Sequence, residues 1–237
     1  MKILFFFGTR PEAIKMAPLI KEFQKSSGGF DIKICVSAQH REMLDQVLHF
    51  FEIQPDFDLN IMQQDQDLFD ITTEALNGIK EVMSHHKPDW LIVQGDTTTT
   101  FVGALAAFYE KVKVAHIEAG LRSFNKQAPF PEEMNRVLTT HLSDIHFAPT
   151  IRAKENLLRE GVLEDKIFVV GNTSIDAVFL CLKKISEKRP DSFDSLNSVD
   201  FDKKIVLVTG HRRESFGEPF KNICLALKMI AENGDIE

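Results

Sequence analysis

Short apolar runs alternate along this chain with longer segments of helical period, and no other feature narrows its fold as much. The runs fall at residues 3–7, 31–37, 90–93, 114–117, 144–148, 167–170 and 205–208. Between them lie segments whose apolar residues recur every three or four positions, as in 70–86, where Ile71, Ala75, Leu76, Ile79 and Val82 line one face. This is the pattern of repeated βαβ units. Residues 3–7 (ILFFF) are apolar on both faces, as a central strand of a parallel sheet must be. The expected fold class is therefore α/β, a doubly wound, Rossmann-like parallel sheet.

The pattern also sets the domain organisation. Residues 1–186 form one continuous series of βα units. Residues 187–202 (EKRPDSFDSLNSVDFD) have no period and are rich in Ser, Asp and Lys, as in a linker. Residues 203–237 then hold one strand, one helix over 219–232, and no more. Some 35 residues cannot bury a core of their own, since independent folding needs roughly 40 even with help. They either pack on the first domain or begin a second, Rossmann-like domain that is incomplete here. Residues 55–64 read as extended or irregular.

Composition removes several classes of function. The net charge is −7, whereas a nucleic-acid partner calls for a basic face. No apolar run approaches the ~18 residues of a membrane span. The opening MKILFFFGTRPE runs straight from apolar residues into a turn, and reads as a first strand rather than a leader. Cys35, Cys181 and Cys224 are odd in number, far apart and set in apolar runs. They read as reduced thiols of a cytoplasmic protein, without metal-ligand spacing.

Most strands end in a turn residue followed by charge. In an open parallel sheet, ligands bind beyond the carboxyl ends of the strands. Those ends carry Gly8-Thr9-Arg10, Gln39-His40, Gly95-Asp96, Glu118-Ala119-Gly120-Leu121-Arg122 and Gly210-His211-Arg212-Arg213. If the strands share one sheet, Arg10, Asp96, Glu118 and Arg122 share one edge, and His211 faces them from the second unit. Gly8 to Glu12 places backbone N–H groups at a helix start, suited to a phosphate, with Pro11 opening the helix and Lys15 one turn on. This is neither a P-loop nor a dinucleotide fingerprint. Asp96 fits a ligand site, and equally a plain N-cap of the helix that follows. Glu118 fits a ligand site, or a salt bridge to Arg122. Glu132 and Glu133 suit a helix N-terminus. Glu132 and Arg136 stand four apart on one helix face and are able to pair, which suits Glu132 to a base. His211 suits proton transfer near neutrality. His116, inside an apolar strand, reads as buried and hydrogen-bonded.

These motifs carry a family resemblance. FGTRPEAIKMAPLI, SAQHREMLDQVL, QGDTTTT, HIEAGLRS, PFPEEMNR, FAPT, VGNTSIDAV and VTGHRRESFG resemble, in order and over nearly the whole chain, the non-hydrolysing bacterial UDP-N-acetylglucosamine 2-epimerases. The resemblance implies the glycosyltransferase-B fold, with a nucleotide sugar held between two Rossmann-like domains. It implies inversion at C2 of UDP-N-acetylglucosamine to give UDP-N-acetylmannosamine, by elimination and re-addition of UDP through a 2-acetamidoglucal. Asp96, Glu118, Glu132 and His211 match the family's catalytic residues. Arg10, Lys15 and Arg136 match its substrate-binding cations, and Arg122 is placed with them. Gln39 and His40 match part of the site at which a second substrate molecule activates some members; Glu42 stands where some relatives carry Gln. No cofactor and no metal are implied. The expected ligands are UDP-N-acetylglucosamine and UDP, without nucleic acid or membrane, and the expected assembly is a homodimer. The family pattern breaks off after the first βα unit of the second domain. A hydrolysing relative that releases free N-acetylmannosamine, and a fragment that folds without turnover, are the competing readings.

Overall fold

The computed structural model describes residues 1–26, 28–38, 41–63, 65–187, 198–209, 217–232 and 236–237. Gln39, His40, His211 and most of the expected linker lie outside the described residues. The chain divides into two compact units, Met1–Lys183 and Lys184–Glu237.

The first unit is built on a fully parallel sheet of seven strands. These are β1 (Lys2–Phe7), β2 (Asp31–Val36), β3 (Phe57–Asp58), β4 (Trp90–Gln94), β5 (Lys113–Ile117), β6 (Ile145–Ala148) and β7 (Ile167–Val169), in spatial order β3-β2-β1-β4-β5-β6-β7. The chain moves outward from β1 to β3, then returns to place β4 on the other side of β1. The strand order therefore reverses between β1 and β4, which opens a crevice at their carboxyl ends. Strand β3 was not anticipated. Its two residues add to β2 through the pairs Cys35–Phe57 and Val36–Asp58, too short a ladder to show periodicity.

Helices cover both faces. On one side, α1 (Arg10–Lys25), α2 (Arg41–Phe50) and the start of α7 (Thr173–Glu187) pack on Ile3, Phe5 and Phe7 of β1, Ile34 and Val36 of β2, and Ile92 of β4. On the other, α3 (Leu68–His86) and α4 (Thr98–Tyr109) pack on Leu4, Phe6, Cys35, Leu91, Val93 and Val114, with Leu142 of α5 (Glu132–Leu142) at the margin. Leu4, Phe5, Phe6 and Phe7 are all fully buried, so β1 is covered on both faces, as its sequence requires. The helix α6 (Ile151–Arg159) closes the β6–β7 end through Ala153 and Leu157. Over β4, β5 and β6 the α1 side is left open as an apolar trough of about 540 Å³, lined by Trp90, Ile92, Ala115, Ile117, Ile145 and Phe147 among others.

The helix starts follow local chemistry. Helix α1 begins one residue earlier than expected, at Arg10, with Thr9 as N-cap and Pro11 inside the first turn. The Thr97 hydroxyl accepts from the Thr100 N–H and caps α4. Asp96 is thus not that helix's cap.

The second unit holds α8 (Glu218–Ala231), close to the helix expected over 219–232. The strand expected at 205–208 is not formed as such. A single parallel bridge joins Lys204 and Ile236, with Glu237 N–H to Lys204 O and Val206 N–H to Glu237 O, each 2.9 Å. Ile205, Val206 and Val208 stay about half exposed, and Leu207 is 88% exposed. A parallel strand needs a neighbouring ladder, and among the described residues this segment has one bridge.

Candidate active site

The crevice between β1 and β4 is framed by two turns joined through one buried carboxylate. Glu12, 1% exposed on α1, reaches back with Oε2 to the N–H groups of Gly8 (3.0 Å) and Thr9 (2.8 Å). Its Oε1 lies 2.7 Å from the Thr97 hydroxyl and 3.1 Å from that of Thr100, at the start of α4. Burial raises its proton affinity above that of an ordinary glutamate, opposed by hydrogen bonds from the Thr97 and Thr9 side chains and from the Gly8 and Thr9 N–H groups. Glu12 was not singled out from sequence, although Thr9-x-x-Glu12 is a capping-box spacing.

Five of the expected site residues come together on this frame. Lys15, half-buried on α1's second turn, donates to Glu118 Oε1 at 2.7 Å. The Asn172 amide donates to Glu118 Oε2 at 2.6 Å, bringing in the turn between β7 and α7. Asn172 was also missed. Its Gly-Asn-Thr turn ends a strand like the others, but an amide does not stand out in a search for charge. Glu118 itself has φ +66°, a left-handed conformation costing a non-glycine residue about 1–3 kcal/mol. That twist aims its carboxylate at Lys15.

Asp96 follows β4. Its carboxylate lies 2.5 Å from Arg136 Nη2 of α5. Burial raises its proton affinity above the usual aspartate range, Arg136 opposes that, and the nearby charges of Glu118 and Glu132 add to it. Asp96, Glu118 and Glu132 therefore form one electrostatically coupled group of acids, held against Lys15 and Arg136. Such a group can bind anionic oxygens through the cations and move a proton through the acids.

Two expected pairings are replaced by others. Arg136 does not pair with Glu132; its partners are Asp96 and Glu133, the latter at 3.5 Å. Buried Glu133 takes the N–H groups of Ser123 (3.0 Å) and Phe124 (2.8 Å). Burial would raise its pKa, but those N–H groups, the Ser123 hydroxyl and Arg136 bring it below the usual range. The two adjacent glutamates differ in role because one faces the loop after HIEAGLRS and the other stands near Asp96. Arg122 is not brought to the rest of the set. Its side chain, 1% exposed, forms a two-pronged ion pair with Glu160 (2.7 and 2.6 Å) and donates to the Thr140 hydroxyl. The intervening Gly120 turns the chain away. It has φ +86°, and a Cβ there would lie 2.3 Å from the Ala153 carbonyl oxygen, so only glycine fits. Arg10 is exposed and forms no ion pair with a described residue. No group of three potential metal ligands occurs among the described residues.

A parallel, doubly wound sheet with acids and cations gathered at its switch point is a Rossmann-like domain, of the kind that forms the N-terminal half of the glycosyltransferase-B fold. The sequence model of the UDP-N-acetylglucosamine 2-epimerase family matches residues 21–237. The chain is 52% identical over 243 residues to the UDP-N-acetylglucosamine 2-epimerase of Campylobacter jejuni, and 55% over 240 to that of Salmonella borreze. Each alignment takes in all of this chain and 63% of the relative. Among solved structures, UDP-GlcNAc 2-epimerase from Neisseria meningitidis bound to UDP-GlcNAc superposes with a TM-score of 0.89 at 50% identity, over 99% of this chain and 63% of that one. The Methanocaldococcus jannaschii enzyme in complex with UDP-GlcNAc and UDP gives 0.85 at 41%, over 100% and 65%. The chain belongs to the UDP-N-acetylglucosamine 2-epimerase family, and spans about 63% of the length of these curated relatives.

Proposed function

We propose that this protein interconverts UDP-N-acetylglucosamine and UDP-N-acetylmannosamine by inverting C2. The observation that carries this reading is the coupling of Asp96, Glu118 and Glu132 beside Lys15 and Arg136 at the sheet's switch point. The chemistry needs both kinds of group. A base takes the C2 proton while the C1–O bond breaks and its electrons leave with UDP, giving a 2-acetamidoglucal. UDP then adds back at C1, and C2 takes a proton on the opposite face. Cations stabilise the departing diphosphate. Asp96, with its raised proton affinity, suits the donor of a proton, and Glu132 suits the base. His211 completes the reading as the histidine near the diphosphate, with Arg10 as a further cation. Gln39 and His40 belong to an activating substrate site in the same proposal.

The domain division at 1–186, 187–202 and 203–237, a homodimeric assembly and a cytoplasmic location are part of this reading. Cys35, Cys181 and Cys224 are odd in number and far apart in apolar runs, which suits reduced thiols. The role of Glu132 is tested by C2–H exchange in Glu132→Gln. Exchange should fall about 100-fold or more, as for loss of a general base. An undiminished rate assigns the proton to another carboxylate.

A further inference from the structure

We propose that His116 is a positioning residue, which fixes Asp96 by holding the Gly95 carbonyl. The proposal rests on reading Asp96 as a catalytic acid. His116 lies within β5, beside Val93 of β4 and His146 of β6, and is fully buried. Its neighbours along the strand are Val114, Ala115 and Ile117, so a polar ring there requires a reason. Its Nε2 lies 2.7 Å from the Gly95 carbonyl oxygen. A carbonyl only accepts, so the ring carries its proton on Nε2. Its Nδ1 has no hydrogen-bond partner among the described residues, so the bond from Nε2 is the ring's one polar contact there.

Gly95 needs that bond. It has φ +75°, and a Cβ at this position would meet nothing within 4 Å. Glycine permits several conformations here, and the left-handed one is selected by its surroundings. Strand β5 supplies the selection. Ile117 O accepts the Gly95 N–H at 2.9 Å, and His116, the residue before, takes the Gly95 carbonyl. One peptide further on, the Asn135 amide donates to Asp96 O at 3.0 Å. The backbone on either side of Asp96 is thus held by side chains from β5 and α5, and its carboxylate meets Arg136 as a consequence. Burial drives the His116 pKa down to about 3, so the ring stays a neutral donor under working conditions.

The test uses the full chain as wild type, His116→Phe, which keeps a slightly larger flat ring without the donor, and His116→Gln, whose amide nitrogen can stand near Nε2. Long-range ¹⁵N–¹H spectra of the wild type should show the Nε2–H tautomer. In His116→Phe, hydrogen exchange at the Gly95 and Asp96 amides should quicken roughly tenfold while Val93 and Ala115 stay as they were; His116→Gln should restore protection. With UDP-N-acetylglucosamine, kcat should fall about 100-fold in His116→Phe at unchanged KM, and recover in His116→Gln. The Nδ1–H tautomer, or wild-type exchange at Gly95 in His116→Phe, overturns the proposal. A wild type without turnover overturns the functional reading instead, and the tautomer and exchange results still decide whether His116 holds Asp96.

Discussion

Asp96 sits where opposing charges set its proton affinity, and each neighbour can be removed singly. Arg136 lowers that affinity, and Glu132 raises it. Replacing Arg136 by Met should raise the midpoint of the Asp96 carboxyl ¹³C titration, and Glu132→Gln should lower it. Shifts in the same direction would contradict the coupled group. A second consequence concerns acid stability. Burial lowers the pKa of His116 to about 3 and that of His146 to about 4. Unfolding frees each to bind a proton near pH 6.5, so their neutral packing is stabilising above 6.5 and is lost as pH falls toward 4. Each histidine should remove about 2 kcal/mol between pH 7 and 5. Urea denaturation of His146→Gln at the two pH values should show the pH dependence reduced by about that much; an unchanged dependence would refute it. Sequence reading singled out Asp96 and Glu118 because charge at a strand end stands out, and Lys15 because it lies one turn into the helix after Gly8. It offered a salt bridge from Glu118 to Arg122 as one option. The left-handed backbone of Glu118 and the turn at Gly120 send the two apart, and neither conformation is written in residue spacing.

The strands and helices themselves were legible, because both periods are long enough to count. Two elements were not. Strand β3 has two residues, and the segment 205–208 is strand-like in composition but has no ladder to join. Glu12 shows how elements are tied together by a residue that looked like ordinary helix-start chemistry. It clamps the turn before α1 to the start of α4. Glu12→Gln turns one accepting oxygen into a donor facing donors, and should cost about 1–3 kcal/mol in chemical denaturation. Unaltered stability would show that the clamp does not hold the two turns.

For the molecule as a whole, the open side of the sheet carries the clearest consequence. Trp90, the sole tryptophan, lines the apolar trough with Phe147 and Ile145. Apolar patches of this kind bind hydrophobic probes. Anilinonaphthalene sulfonate should bind the native chain with energy transfer from Trp90; its absence would mean that the trough is covered in solution. At the same scale, the site at the switch point has its own decisive measurement, proton NMR of UDP-N-acetylglucosamine incubated with this protein in D₂O. The expected result is loss of the C2–H signal and growth of UDP-N-acetylmannosamine deuterated at C2, with UDP retained on the sugar. Release of free N-acetylmannosamine would make the protein a hydrolysing relative, and a C2–H signal that persists at high protein concentration would contradict the proposed function outright.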